Sequence, residues 1–169
     1  ARQAEARATS ARAESEEKYR LLFHHMTEGF ALYELVYDEQ GRAVDWRVLE
    51  VNEAYTRQTG IPAEQIVGRH ISEVFPRALP EYLPRFAQVV STQTPNSFET
   101  YAVSVGRHQR VSTFPAGGNR FASSIEDITE RKRADEELRH SEEKFATVFR
   151  FSPDAIAVVN ANTGVVLDV

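Results

Sequence analysis

The chain contains no cysteine. That absence excludes disulfide bonds, a thiolate nucleophile and any cysteine-ligated metal. No apolar run approaches the roughly 20 residues needed to span a bilayer. The opening residues, Ala1-Arg2-Gln3-Ala4-Glu5, lack the apolar stretch of a signal peptide. Basic charge is not in excess either: Lys and Arg number 20 against 25 Asp and Glu, for a net charge of -5. Nucleic-acid binders carry a basic footprint, so no nucleic-acid partner is expected. Neither glycine nor proline occurs before Gly29, so nothing in the sequence interrupts a helix there. What remains is a chain of 169 residues, 41% hydrophobic and 27% charged, the balance of a soluble globular protein long enough to bury a core. A cytoplasmic location is expected, with no membrane segment in this stretch and a parent protein free to carry an anchor elsewhere.

What is present repeats itself. Ser15-Glu16-Glu17-Lys18-Tyr19 returns as Ser141-Glu142-Glu143-Lys144-Phe145, and Phe23 returns as Phe149. Gly29-Phe30-Ala31 falls opposite Ala155-Ile156-Ala157, and Val48-Leu49-Glu50-Val51 opposite Val166-Leu167-Asp168-Val169. A repeat of this kind sets the domain count before any other reading. The second copy stops soon after it starts, so the expectation is one complete module and the opening of another, cut from a longer protein.

Residues 1–26 predict a helix, built from Ala, Arg, Glu and Gln. From Gly29 the period changes. Phe30 to Tyr37 is a dense apolar run broken only by Glu34, which predicts a strand buried on both faces. After the turn Asp38-Glu39-Gln40-Gly41, Ala43 to Val51 alternates, with Val44, Trp46 and Val48 on one face and Asp45 and Arg47 on the other. Asn52 stands where a helix cap belongs, before Glu53-Ala54-Tyr55, and Gly60 closes that helix. Short helical pieces follow up to Pro80, then a longer helix from Glu81 to Thr92 with Leu83, Phe86, Ala87 and Val90 as its apolar residues. Ser97 to Val105 and Arg110 to Phe114 read as strands joined through Gly106-Arg107-His108-Gln109. Ala116-Gly117-Gly118-Asn119 is a turn before the last strand, Arg120 to Ile128, and Thr129 opens a charged helix. This order predicts an α+β fold: a five-stranded antiparallel sheet with short helices on one face, flanked by N- and C-terminal linker helices.

At two places the residues resemble a known family, the PAS sensory domains. Asn52-Glu53-Ala54-Tyr55, Thr59-Gly60 and Ile66-Val67-Gly68-Arg69 resemble the family's helical signature. Ser124-Ile125-Glu126-Asp127-Ile128-Thr129-Glu130-Arg131-Lys132 is similar to its closing motif, Asp-Ile-Thr at the end of the last strand. The resemblance divides the chain into a linker helix at 1–18, a PAS domain at 19–129, a second linker helix at 130–144 and the truncated start of a second PAS domain at 145–169. It implies a non-catalytic sensory or relay module of a multidomain signal-transduction protein, with downstream PAS and output domains in cis. The implied parent is a histidine kinase or a diguanylate cyclase/phosphodiesterase. The rival expectation is a constitutive dimerisation and spacer module that binds no ligand.

The closing motif has a physical reading of its own. Thr129 is placed to give its hydroxyl to free backbone donors at the start of the following helix, and Asp127 to set a carboxylate near that start. That helix opens Arg131-Lys132-Arg133, the wrong sign for its N-terminus, so it is expected to lean on Glu126 and Asp127. The signal-transfer set is therefore Glu126, Asp127, Ile128, Thr129 and Arg131. Beyond it Ala134, Leu138, Ser141, Phe145 and Val148 form a short heptad seam, matched in the first copy by Ala8, Arg12, Ser15, Tyr19 and Leu22. A homodimer through these flanking helices is expected.

The family holds small ligands between the sheet and the short helices. Tyr33, Trp46, Phe86, Tyr101 and Thr113 are the candidate lining, each aromatic or polar on an element expected to face inward. The ligand and any cofactor stay unidentified. Haem-binding relatives supply a histidine from the long helix, and Glu81 to Thr92 has none; light-sensing flavin relatives use a cysteine, and none exists here. A flavin held without a covalent bond stays open. No metal site is expected: His24 and His25 point apart on a helix, and His70 and His108 stand alone. His140 lacks the proline that follows a phospho-acceptor histidine, so it reads as a linker residue. No catalytic constellation is present.

Overall fold

The computed structural model describes residues 2–151, 158–159, 163 and 165–168. The chain divides into two compact units, Ala1–Thr129 and Glu130–Val169. The first unit holds helix α1 (Arg2–His25), strands β1 (Gly29–Tyr37) and β2 (Ala43–Val51), and helices α2 (Glu53–Thr59), α3 (Ala63–Ile66), α4 (Ile71–Val74) and α5 (Ala78–Thr92). Strands β3 (Asn96–Ala102), β4 (Arg107–Pro115) and β5 (Arg120–Asp127) complete it. The five strands form one sheet in the order β2-β1-β5-β4-β3, every neighbouring pair antiparallel. The expected α+β sheet with short helices is therefore the fold.

The period of two decides which residues enter the core. Along β1, Ala31, Tyr33 and Leu35 are buried while Phe30, Leu32, Glu34 and Val36 are half-buried. The expectation of a strand buried on both faces is thus corrected: one face packs under the helices and the other forms the sheet's outer side. In β2 the expected alternation breaks at its start. Tyr37 pairs with Ala43 but Val36 with Asp45, so Val44 is the extra residue of a bulge. Val44 is turned out to 42% exposure, while Asp45, opposite Val36, is buried and accepts from the Ser72 hydroxyl. Trp46 and Val48 keep their inward positions.

Two further boundaries move. Helix α5 starts at Ala78, with Pro80 in its first turn, where a proline forfeits no hydrogen bond. The β3–β4 connection is a tight turn at 103–106, so Arg107, His108 and Gln109 belong to β4 rather than to a loop. Gly106 closes that turn at φ +67, a backbone region that glycine occupies without a steric cost. The core gathers Ala31, Tyr33, Leu35, Trp46, Val48, Tyr55, Ile66, Phe86, Val111 and Phe121 between sheet and helices.

In the second unit, helix α6 (Thr129–Phe151) runs through residue 144 without a break. A short antiparallel pair, β6 (Val158–Val159) with β7 (Val166–Asp168), follows. The expected second-domain opening at 145–169 otherwise lies outside the described residues. No helix among the described residues is long and apolar enough to cross a membrane.

Candidate functional site: an uncharged cavity and the strand end beside it

Alternation along the strands and the helical roof above them leave a cavity of about 70 Å³. The sheet contributes Tyr33, Trp46, Gln109, Val111, Ser123 and Ile125. Helix α2 contributes Tyr55, Gln58 and Thr59, and α5 contributes Ala78, Tyr82 and Phe86. Ile71 and Phe75 close one side; Ala102, Ser104 and Val105, from the end of β3 and its turn, close the other. Aromatic packing explains the small volume. Phe86 lies 4.8 Å from the Phe121 ring and 5.1 Å, edge-on, from Trp46, while Tyr33 stacks on Phe121 at 5.0 Å. Drug-sized ligands occupy pockets of roughly 300–1,000 Å³, so neither haem nor a flavin ring system fits this cavity as it stands.

Of the five expected lining residues, Tyr33, Trp46 and Phe86 face the cavity. Tyr101 does not: it stands on the outer side of β3, half-exposed, with its ring 5.0 Å from His108. It alternates with Ala102, which takes the inward position. Thr113 points inward but beyond the cavity, where its hydroxyl pairs with Ser123 at 3.0 Å. The lining residues that sequence reasoning missed include the aromatic Tyr55, Phe75 and Tyr82 and two glutamines, Gln58 and Gln109. Gln109 is 7% exposed on the inner face of β4, and its carboxamide makes no hydrogen bond among the described residues. Gln58 donates from Nε2 to the Ile125 carbonyl at 3.3 Å, while its Oε1 is enclosed without a partner. Placing Gln109 in β4, two residues before Val111, would have exposed it as an inward position.

The cavity's phenols stay protonated. Burial pushes the Tyr55 hydroxyl up to about 12, partly offset by its bond with Tyr33. Burial, and the adjoining Tyr55, hold Tyr33 well above the ordinary tyrosine value. Burial also raises Tyr82.

Asn52 fixes the roof to the sheet. Its Oδ1 accepts from Tyr55 N at 2.9 Å, the expected cap, and also from Phe30 N at 2.9 Å. Its Nδ2 donates to the Glu28 carbonyl at 2.9 Å. The residue is 1% exposed, so one buried side chain joins the start of β1 to α2.

At the sheet's far end, Asp127, Ile128 and Thr129 are bound to the first residues of β4. Arg107 Nη1 donates to Asp127 Oδ2 at 2.7 Å, and Thr129 N donates to Asp127 Oδ1 at 3.0 Å. His108 N donates to the Thr129 hydroxyl at 3.0 Å, and Ile128 N donates to the His108 carbonyl at 2.9 Å. The Thr129 hydroxyl thus serves β4 rather than the helix's free donors, and the carboxylate of Asp127 is what meets the Thr129 N–H. Burial raises the Asp127 carboxyl, but the bonds from Thr129 and Arg107 outweigh it and hold the group below the ordinary carboxylate value. Glu126 pairs with Arg110 at 2.8 Å on the outer face instead of supporting the helix, and Arg110 also reaches Glu99 at 3.1 Å. Arg131 lies on α6, in the second unit. Ile128 is 2% exposed. Among the described residues no three His, Asp or Glu side chains gather as metal ligands.

The sequence matches the family model described as the PAS fold over residues 36–133. No curated protein matches it. Solved structures match at low identity. An RNA-binding light-oxygen-voltage receptor aligns at TM-score 0.54 and 13% identity, over 78% of this chain and 38% of that one. The PAS domain of a protein from Colwellia psychrerythraea aligns at TM-score 0.52 and 14% identity, over 68% and 97%. A domain of the sensory box sensor histidine kinase/response regulator from Geobacter sulfurreducens aligns at TM-score 0.51 and 14% identity, over 67% and 94%. At these identities the likeness is one of fold.

Proposed function

The chain belongs to the PAS fold family, and from that premise we propose that residues 19–129 form a non-catalytic signal-relay module that reads a small ligand or partner state. The relay runs through the Asp127-Ile128-Thr129 segment into α6. One observation carries this reading. The β3–β4 hairpin lines the cavity with Ala102, Ser104, Val105 and Gln109, while the residues between, Arg107 and His108, bond to Asp127, Ile128 and Thr129. A group that moves the cavity wall therefore moves the strand end next to it, with no intervening element. A joint held by a few polar bonds can be shifted between two arrangements by a modest free energy.

The module works in cis within a cytoplasmic signalling protein and dimerises through its flanking helices. The matched Geobacter domain comes from a sensor histidine kinase/response regulator, and a kinase output is the parent activity we favour over a cyclase or phosphodiesterase. The small cavity volume favours a second reading in one respect: a spacer module needs no ligand, and about 70 Å³ leaves little room for one.

The test is to fill the cavity mouth with Val105→Trp, a change in the partly exposed turn that spares the sheet, and to follow backbone amide shifts by NMR. Relay predicts displaced resonances for His108, Ile128, Thr129 and the first turn of α6. Shifts that stop at 103–106 would leave the spacer reading standing. Removing residues 1–18 and measuring solution mass tests the dimer; an unchanged dimer moves its interface elsewhere.

A further inference from the structure

No charged side chain borders the cavity, so an ion placed there would lie among Tyr33, Trp46, Tyr82 and Phe86 with no counter-charge. Most polar groups of the walls are already engaged within the protein. Tyr33 and Tyr55 bond to each other, and Tyr82 bonds to Thr100. Ser123 pairs with the Thr113 hydroxyl at 3.0 Å, and Thr59 donates to the Tyr55 carbonyl at 2.9 Å. Gln58 donates to the Ile125 carbonyl, while its enclosed Oε1 packs against Gly29 with no surface open to the cavity. The other polar side chains of the wall, Ser104 and Gln109, stand together on the β3–β4 hairpin. The rest of the interior therefore offers an occupant ring faces and methyl groups, chiefly Trp46 and Phe86 with Ile71, Val111 and Ile125. A buried water needs about two to four polar partners, and these surfaces supply none. Apolar contact has no such directional demand and strengthens with the area covered.

Volume narrows the class further. About 70 Å³ is roughly half of an apolar void that stays dry and takes up benzene or xenon. That space admits a few non-hydrogen atoms and excludes benzene itself. We propose that this cavity binds a compact, uncharged, apolar molecule of that size, held by contact with ring faces and methyl groups rather than by hydrogen bonds. The occupant touches β4 and β5 where Val111 and Ile125 are paired, and touches the helical side at Ile71. This assignment rests on the ligand-responsive module proposed above and adds the chemistry that module recognises.

The experiment is an NMR titration of the 169-residue chain with xenon under pressure, with formamide as a small uncharged polar probe and benzene as an apolar probe that is too large. Xenon is expected to give saturable shifts in the methyl groups of Ile71, Val111 and Ile125. Formamide is expected to bind at least about tenfold more weakly, because its polar groups lose their hydration without gaining partners. Benzene should leave the wild type unmoved and bind Phe75→Ala, where the lost ring adds the missing volume. Val105→Trp, which fills the mouth, should abolish the xenon shifts, and Ala78→Leu gives the same readout from the helical side should that variant fold poorly. Formamide matching xenon, or xenon shifts that survive both filling variants, overturns the apolar class. Methyl groups unmoved by xenon overturn it as well, and the ligand-responsive module falls with it only if the Val105→Trp amide shifts also stop at 103–106.

Discussion

Asn52 offers the most exacting test of how this domain is held together. Its side chain makes three hydrogen bonds, to Tyr55 N, Phe30 N and the Glu28 carbonyl, all at 2.9 Å. Replacing it with alanine removes a helix cap, which costs about 1 kcal/mol in the middle of its usual range. It also strands the Phe30 N–H, a part-buried donor whose loss costs about 1–3 kcal/mol. The Glu28 carbonyl, part-buried as well, adds a smaller amount. The sum is about 3 kcal/mol, a large share of the roughly 5–15 kcal/mol typical of a domain. Asn52→Asp keeps both accepted bonds and replaces the Nδ2 donor with an oxygen facing the Glu28 carbonyl. It should cost about half as much, although aspartate is as good a cap as asparagine in isolation.

Urea unfolding followed by fluorescence is the assay, because the chain has a single tryptophan, Trp46, and it is 2% exposed in this core. The expected order of midpoints is wild type, then Asp, then Ala, with an unchanged denaturant slope. Amide exchange at Phe30 and Tyr55 should accelerate together, since one oxygen serves both. An alanine variant within about 1 kcal/mol of wild type, or an aspartate variant indistinguishable from wild type, would refute the clamp and reduce Asn52 to an ordinary cap.

Two other outcomes are expected. Gly29→Ala puts a Cβ 2.7 Å from Gln58 Oε1 and 3.2 Å from the Tyr55 Cα; the glutamine can swing away but the helix backbone cannot, so a loss of about 1–3 kcal/mol should appear in the same Trp46 assay, only partly recovered by adding Gln58→Ala. Asp127 has its folded-state pKa depressed, so its bonds stabilise the joint fully above the ordinary value of 3.8 and lose that effect as pH falls through the lower, folded value; acid should therefore speed exchange of the Thr129 amide in wild type, and Asp127→Asn should flatten that pH dependence.

The overall order of elements was legible because each boundary had a local cause: Asn52 as a cap, Gly60 as a left-handed helix end, Gly117 and Gly118 in the last hairpin. What escaped was non-local. The bulge at Val44 arises from pairing with β1, and nothing within Ala43 to Val51 signals that Val44 is turned out while Asp45 is buried against Ser72. The Gly106-Arg107-His108-Gln109 stretch reads as a loop by composition, yet antiparallel pairing with Thr100, Tyr101 and Ala102 draws its last three residues into β4. That one error hid Gln109, left Tyr101 looking inward, and removed from view the contact partners of Thr129. Of the cavity's aromatic members, Tyr33, Trp46 and Phe86 were found because large apolar residues on inward positions are a reliable pattern, while Tyr55, Phe75 and Tyr82, on the short helices and the start of α5, were not. Its polar members were not, because a glutamine on a strand looks like a surface residue until its neighbours are known.

The corrected register changes what the closing motif does. Had the Thr129 hydroxyl capped the helix, α6 would carry its own start and the sheet would matter to it only through chain continuity. Instead the hydroxyl accepts from His108 N, and the His108 carbonyl accepts from Ile128 N. Both polar groups of one residue are thus committed to the strand end. That residue adjoins Gln109, whose side chain lines the cavity and makes no hydrogen bond among the described residues. The two share one peptide: a ligand that shifts the Gln109 backbone, and not its side chain alone, rotates the plane that carries the His108 carbonyl. A ligand recognised by Gln109 has the shortest covalent route to the joint, one peptide bond. A ligand seated against Tyr33 or Trp46 would have to act through the packing of the whole sheet. Coupling by Gln109 therefore predicts that Gln109→Met and Thr129→Val are not additive in their effect on Ile128 exchange, whereas Trp46→Phe and Thr129→Val are. Additivity in both pairs would separate the cavity from the joint and leave Asp127-Ile128-Thr129 as a plain connection.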